Sequence, residues 1–141
     1  MSDRQAMARK LGMKPGMRIG LVGAGSESEA MLRTAGIGEA RWELEPQEGN
    51  FELVFYWPKS HAEFTQKIWD LAEMIAPDGA VWVMFPKKAY LEKHGLDMSW
   101  EEMQAAALET VLVDNKVAAF SDEFYATRFV IRRNLRNRPR P

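Results

Sequence analysis

Short, nearly continuous apolar runs alternate with segments that open on the same four-residue helix-start signal, and this alternation limits the chain to very few folds. Ser26-Glu-Ser-Glu29, Ser60-His-Ala-Glu63 and Ser99-Trp-Glu-Glu102 each read Ser-x-x-Glu. In such a capping box the hydroxyl and the carboxylate each accept a hydrogen bond from a backbone N–H that the first helical turn leaves unpaired. The second of these segments repeats Phe64, Ile68, Leu71, Ala72 and Ile75 at helical spacing. It is expected to stop at Pro77-Asp78-Gly79, and the first at Gly36. Between the helices, the runs at 19–22, 53–57 and 80–85 are too short for helices and rich in β-branched and aromatic residues. Continuous apolar character of this kind fits parallel strands covered on both faces. Residues 41–45 alternate instead, which fits a more exposed strand near a sheet edge. Residues 111–120 and 125–132 flank the polar link Ser121-Asp-Glu and read as an antiparallel hairpin.

The order β-α-β, β-α-β, α, β-β predicts an α/β fold of Rossmann-like type. Its sheet is mainly parallel with a C-terminal antiparallel hairpin, and helices lie on both faces. One such domain is expected over 1–133, followed by a basic, flexible tail over 134–141. Composition excludes several chemistries. With no Cys there can be no disulfide, thiolate metal site or Cys nucleophile, and a reducing, cytoplasmic setting is expected. The first residues lack the apolar stretch of a signal peptide and no run is long enough to span a bilayer, so no membrane partner is expected. His61 and His94 are the only histidines and have no ligand partners at metal spacing, so no metal is expected. Charge is uneven: residues 128–141 hold six Arg and no acid, leaving 13 basic against 20 acidic residues in the rest, a net −7.

Lys14-Pro-Gly-Met-Arg-Ile-Gly-Leu-Val-Gly-Ala-Gly25 resembles the opening strand and glycine loop of class I S-adenosylmethionine-dependent methyltransferases. Phe51-Glu-Leu-Val-Phe55 is similar to their next diagnostic strand, and the segment from Leu71 through Ala76-Pro-Asp-Gly-Ala-Val-Trp-Val83 to their Pro-Gly turn and following strand. Pro86-Lys87-Lys88 adds a closer resemblance, to small uncharacterised bacterial proteins with a degenerate form of this fold. Three departures from the enzymes stand out. Leu21 occupies the position of an acid, Glu27 that of the third loop glycine, and only five residues separate Glu45 from Phe51, so the family's second helix and third strand are missing.

Candidate site residues follow from the end of the sheet where an open α/β fold binds ligands. Gly23, Gly25 and Ser26 would offer backbone N–H groups to an anion at a helix start. Glu43 or Glu45 would hold ribose hydroxyls, as the resemblance implies. Lys59, Lys87 and Lys88 would converge as cations beside the loop. The departures point first to a non-catalytic methyltransferase-like module, with no cofactor, that binds a partner protein or a small anionic ligand. One alternative is a divergent methyltransferase using S-adenosylmethionine. A second is a nucleic-acid-associated accessory protein acting through the Arg-rich tail.

Overall fold

In the structure, a computed structural model, residues 3–35 and 40–136 are described. Six strands form one sheet: β1 (Arg18–Val22), β2 (Arg41–Leu44), β3 (Phe51–Tyr56), β4 (Ile75–Pro86), β5 (Leu112–Ala119) and β6 (Phe124–Ile131). Their spatial order is β2-β1-β3-β4-β6-β5. The first four run parallel, while β6 is antiparallel to both β4 and β5. The mixed α/β architecture expected from the sequence is therefore present, with β2 as the exposed edge strand.

Helices cover both faces. On one side α3 (His61–Met74) and α5 (Trp100–Leu108) bury Phe64, Ile68, Leu71, Met103 and Ala107 against Val54, Tyr56, Val81 and Val83. On the other, α1 (Asp3–Leu11) and α2 (Ser26–Ala35) bury Ala8, Leu11, Leu32 and Ala35 against Leu53, Phe55, Ala80 and Trp82. Successive residues of β3 and β4 thus feed opposite cores, which explains their unbroken apolar runs.

Helix α1 was not expected, because its basic residues and few apolar positions give little periodic signal. Its docking is tertiary: the buried Trp82 indole donates to the Leu11 carbonyl at 3.0 Å. Lys10 Nζ donates to the Ala119 carbonyl and Lys116 Nζ to that of Lys10, both at 2.9 Å, tying the helix to β5. A short 3-10 turn (Lys88–Tyr90) and the one-turn helix α4 (Leu91–His94) also lack a sequence signal. At the other end, Arg133–Leu135 form a 3-10 turn and Arg136 Nε donates to the Ile131 carbonyl at 2.7 Å. Arg136, within the expected tail, thus contacts the last residue of β6. Residues 137–141, with Arg138 and Arg140, lie outside the described residues, as does Gly36.

The three Ser-x-x-Glu motifs meet different fates. At Ser99 both halves of the box form: Glu102 N–H donates to the Ser99 hydroxyl and Ser99 N–H to the Glu102 carboxylate. At Ser60 only the hydroxyl half forms, because the Glu63 carboxylate accepts from the buried Tyr56 hydroxyl at 2.8 Å. Ser26 is not a cap. The Gly25 carbonyl already accepts from Glu29 N–H, which places Ser26 inside the first turn. Helix α3 also ends earlier than expected, at Met74. Pro77 biases the preceding residue toward extended backbone, and Ile75 already pairs with Phe51. The register then slips before Leu53 meets Ala80, and Gly79 lies in the extra length.

Two stability measurements check this account. Ser60→Ala and Ser99→Ala should each cost about 1 kcal/mol in denaturant unfolding, whereas Ser26→Ala should stay within about 0.5 kcal/mol of the parent. Equal losses at all three positions would contradict the cap assignments. A Cβ at Gly79 would come within 2.8 Å of the Phe51 carbonyl and 2.9 Å of the Glu52 carbonyl. Backbone cannot yield as a side chain does, so Gly79→Ala should destabilise by about 1–3 kcal/mol.

Candidate functional site

The chain reverses direction across the sheet between β1 and β3: β1 leads outward to β2, and β3 leads the other way to β4. Open α/β sheets bind ligands in the crevice this creates beyond the carboxyl ends of the strands. A cavity of about 610 Å³ lies there. That volume is within the ordinary range for small-molecule sites, roughly 300–1,000 Å³.

One wall is the loop after β1 and the first turns of α2, contributing Gly23, Gly25, Glu27, Ser28 and Met31. The floor is Trp57, Pro58 and Lys59 after β3 with Pro86 ending β4. The opposite wall is the β5–β6 turn at 121–124, together with Lys93 and His94 at the end of α4. The hairpin returns to this place because β6 runs antiparallel along β4, so Pro86 pairs with Phe124 and Lys87 N–H donates to the Glu123 carbonyl at 2.7 Å.

Gly23 is fixed by contact on two sides. It has φ +74, and a Cβ would lie 2.6 Å from the Trp57 carbonyl, so no side chain fits. Its N–H donates to the Glu45 carboxylate, at 2.9 Å to Oε1 and 3.3 Å to Oε2. Glu45 itself has φ +46, a left-handed conformation that costs a non-glycine residue roughly 1–2 kcal/mol. The hydrogen bonds to the loop offset that cost. Gly25 differs, with nothing within 4 Å of where its Cβ would be. It presents open backbone to the cavity.

Not all of the expected set gathers here. Gly23, Gly25 and Lys59 line the cavity; Ser26 does not. Glu45 reaches the glycine loop through its carboxylate, while Glu43 lies exposed on β2. The expected convergence of three lysines does not occur. Lys87 and Lys88 are outside the lining, because the chain turns at Lys87 into the 3-10 segment. The cation on that side is Lys93, joined by His94, and the missed residues also include Asp122 and Glu123. Leu21, in the position of the enzymes' acid, is buried in the α1–α2 core and has no access to the site. Glu27, in place of the third glycine, faces the cavity.

Glu123 binds the far wall together. It accepts from Lys93 Nζ at 2.8 Å and meets His94 Nε2 at 2.7 Å. The hydrogen bond from Lys93, then that from His94, hold its carboxyl below the usual carboxylate range. The same bond raises the Lys93 ammonium above its ordinary value, with Glu27 adding a smaller effect. Across the sheet, burial and then the bond to Glu63 push the Tyr56 hydroxyl far above its ordinary value, so it stays a neutral donor. Among the described residues no helix is long and apolar enough to cross a membrane.

No protein-family model matches the sequence, and no curated protein matches it. Solved structures do match in shape. One is a SAM-dependent methyltransferase from Aquifex aeolicus, 13% identical with a TM-score of 0.62, covering 92% of this chain and 90% of that one. A TehB-like SAM-dependent methyltransferase from Corynebacterium glutamicum is 13% identical with a TM-score of 0.58, covering 92% and 88%. A SAM-dependent O-methyltransferase from Thermotoga maritima is 13% identical with a TM-score of 0.60, covering 93% and 65%. At these identities the likeness establishes a methyltransferase-like Rossmann fold. It also corrects the expectation of a non-catalytic module. The matching scaffolds are those of enzymes, and the cavity persists at the end of the sheet where such folds bind ligands.

The two loop glycines make opposite predictions. Gly23→Ala should destabilise by about 2–4 kcal/mol, since it meets both an unfavourable φ and the Trp57 carbonyl. Gly25→Ala should remain within about 1 kcal/mol in the same unfolding assay, because its Cβ enters open space.

Proposed function

We propose that the chain is a divergent methyltransferase that takes its methyl group from S-adenosylmethionine. The observation that carries this reading is the cavity at the β1–β3 reversal, with the open Gly25 backbone on one wall and the Glu45 carboxylate fixed against the same loop. Bound, the cofactor supplies an electrophilic methyl group on a positively charged sulfur.

The residues present fit such a ligand. Glu45 ends β2 beside the loop, and its carboxylate is an acceptor suited to paired hydroxyls. Gly25 lets a ligand approach the backbone where a side chain would intervene. Glu27 and Asp122 place carboxylates on the cavity lining, which favours a cation inside it. Glu27 stands where the resemblance expects a glycine, so its side chain adds bulk and negative charge to this loop. Lys59 sits on the floor and forms no ion pair among the described residues, which leaves it available to an anionic group of a second ligand. The cofactor would be oriented by Glu45 and the glycine loop, and the second ligand by the 121–124 turn.

Calorimetric titration with S-adenosylhomocysteine, alongside thermal melting in S-adenosylmethionine, tests the reading. A ligand at 100 times its dissociation constant adds about 2.7 kcal/mol to native stability, which raises the melting temperature by several degrees. Glu45→Ala should weaken binding by roughly 10- to 100-fold through loss of charged hydrogen bonds. Gly25→Leu should abolish binding while the fold remains. No heat and no melting shift with millimolar ligand would overturn the proposal.

A further inference from the structure

Lys93, His94 and Glu123 form a hydrogen-bonded cluster on the cavity wall opposite the glycine loop. Its geometry resolves which nitrogen of the imidazole is free. Glu123 is held ionised by its two partners, and an ionised carboxylate only accepts hydrogen bonds. His94 Nε2 is therefore the donor in the 2.7 Å contact, and in the neutral ring Nδ1 keeps a lone pair. The ring is also held in place: Phe124 packs against it with centroids 4.6 Å apart. His94 and Glu123 remain about 30% exposed at the side chain, so water and small solutes reach them. Lys93 already balances one charge on Glu123, so the carboxylate orients the imidazole beside a neighbouring cation.

We propose that His94, oriented by Glu123, accepts the proton of the group that is methylated, which makes the acceptor a hydroxyl or amine that loses a proton on transfer. The inference rests on the methyltransferase reading and deepens it. In the proton step the acceptor's X–H bond breaks and its electron pair stays on X as the nucleophilic lone pair. The proton is held on Nδ1, giving an imidazolium beside the Glu123 carboxylate. Positioned general bases of this kind contribute roughly 10²–10⁴-fold. Glu123 is a positioning residue, since it acts through the ring. The other charged groups on the cavity lining are Lys93 from α4, Asp122 from the same turn as Glu123, Glu27 from α2 and Lys59 after β3.

The chain has only two histidines, so each imidazole can be followed by nitrogen-15 NMR. At mildly alkaline pH the His94 ring should be the Nε2–H tautomer in the full chain, and Glu123→Gln should shift it toward the tautomer mixture of a free histidine side chain. A His94 ring already showing that mixture in the parent would overturn the proposal. S-adenosylhomocysteine should bind His94→Gln and Glu123→Gln within about twofold of the parent, which also shows that both variants fold. Labelled methyl transfer to phenol and to benzylamine then tests the proton step. Transfer to at least one is expected. It should fall roughly 10²–10⁴-fold in His94→Gln, and the rise of rate with pH should be lost. Transfer by His94→Gln at the parental rate, or a parent that binds the cofactor product and methylates neither probe, would overturn the inference. A parent that binds no S-adenosylhomocysteine while His94 still shows the Nε2–H tautomer defeats the methyltransferase reading and leaves the dyad intact.

Discussion

The pairing of β1 with β3 sets the position of the glycine loop and of the cavity floor beside it. Val22 accepts from Trp57 N–H at 2.9 Å at the last rung of that pairing. One residue further, Gly23 turns away with φ +74 and packs without a side chain on the Trp57 carbonyl. This contact sends the chain into α2 on one side and delivers Pro58 and Lys59 on the other. The same residue's N–H holds the Glu45 carboxylate, so β2 is anchored to the loop as well. Three strand ends are thereby joined at one glycine, which is why a single methyl group there disturbs both the fold and the site.

Buried polar groups decide details that the motifs leave open. Glu63 has a capping-box partner in sequence but is drawn to the Tyr56 hydroxyl, which sits fully buried at the end of β3 and has to be satisfied. Glu102 faces no such competitor and completes its box. Thr127, also fully buried, accepts from the Trp100 indole and so joins α5 to β6. Satisfying an interior donor outweighs completing an exposed cap, because the unpaired buried group costs about 1–3 kcal/mol.

The hairpin contributes chemistry as well as sheet area. By running back along β4, β6 carries the 121–124 turn to the ends of the parallel strands. Glu123 in that turn then collects Lys93 and His94 from a helix of only four residues. A segment as short as α4 has little stability of its own, and its αL cap at Gly95 and its ties to Glu123 hold it in place.

By itself the sequence determined the strands, the order of the parallel units, the terminal hairpin and two of the three helix caps. These follow from local signals: apolar runs at 53–57 and 80–85, helical spacing from Phe64 to Ala72, and serines placed before helical turns. Gly23, Gly25 and Lys59 were legible for the same reason, since they directly follow strand ends. Tertiary structure decided the rest. Helix α1 forms where Leu11 meets Trp82, 71 residues away. Glu45 takes its role from Gly23, 22 residues earlier. His94 acquires a partner in Glu123, 29 residues later, and Lys87 and Lys88 turn away where Lys93 turns in. Each of these outcomes depends on a contact between residues far apart in the chain. Such contacts exist only after the sheet has brought their elements together, so no local pattern of residues could record them.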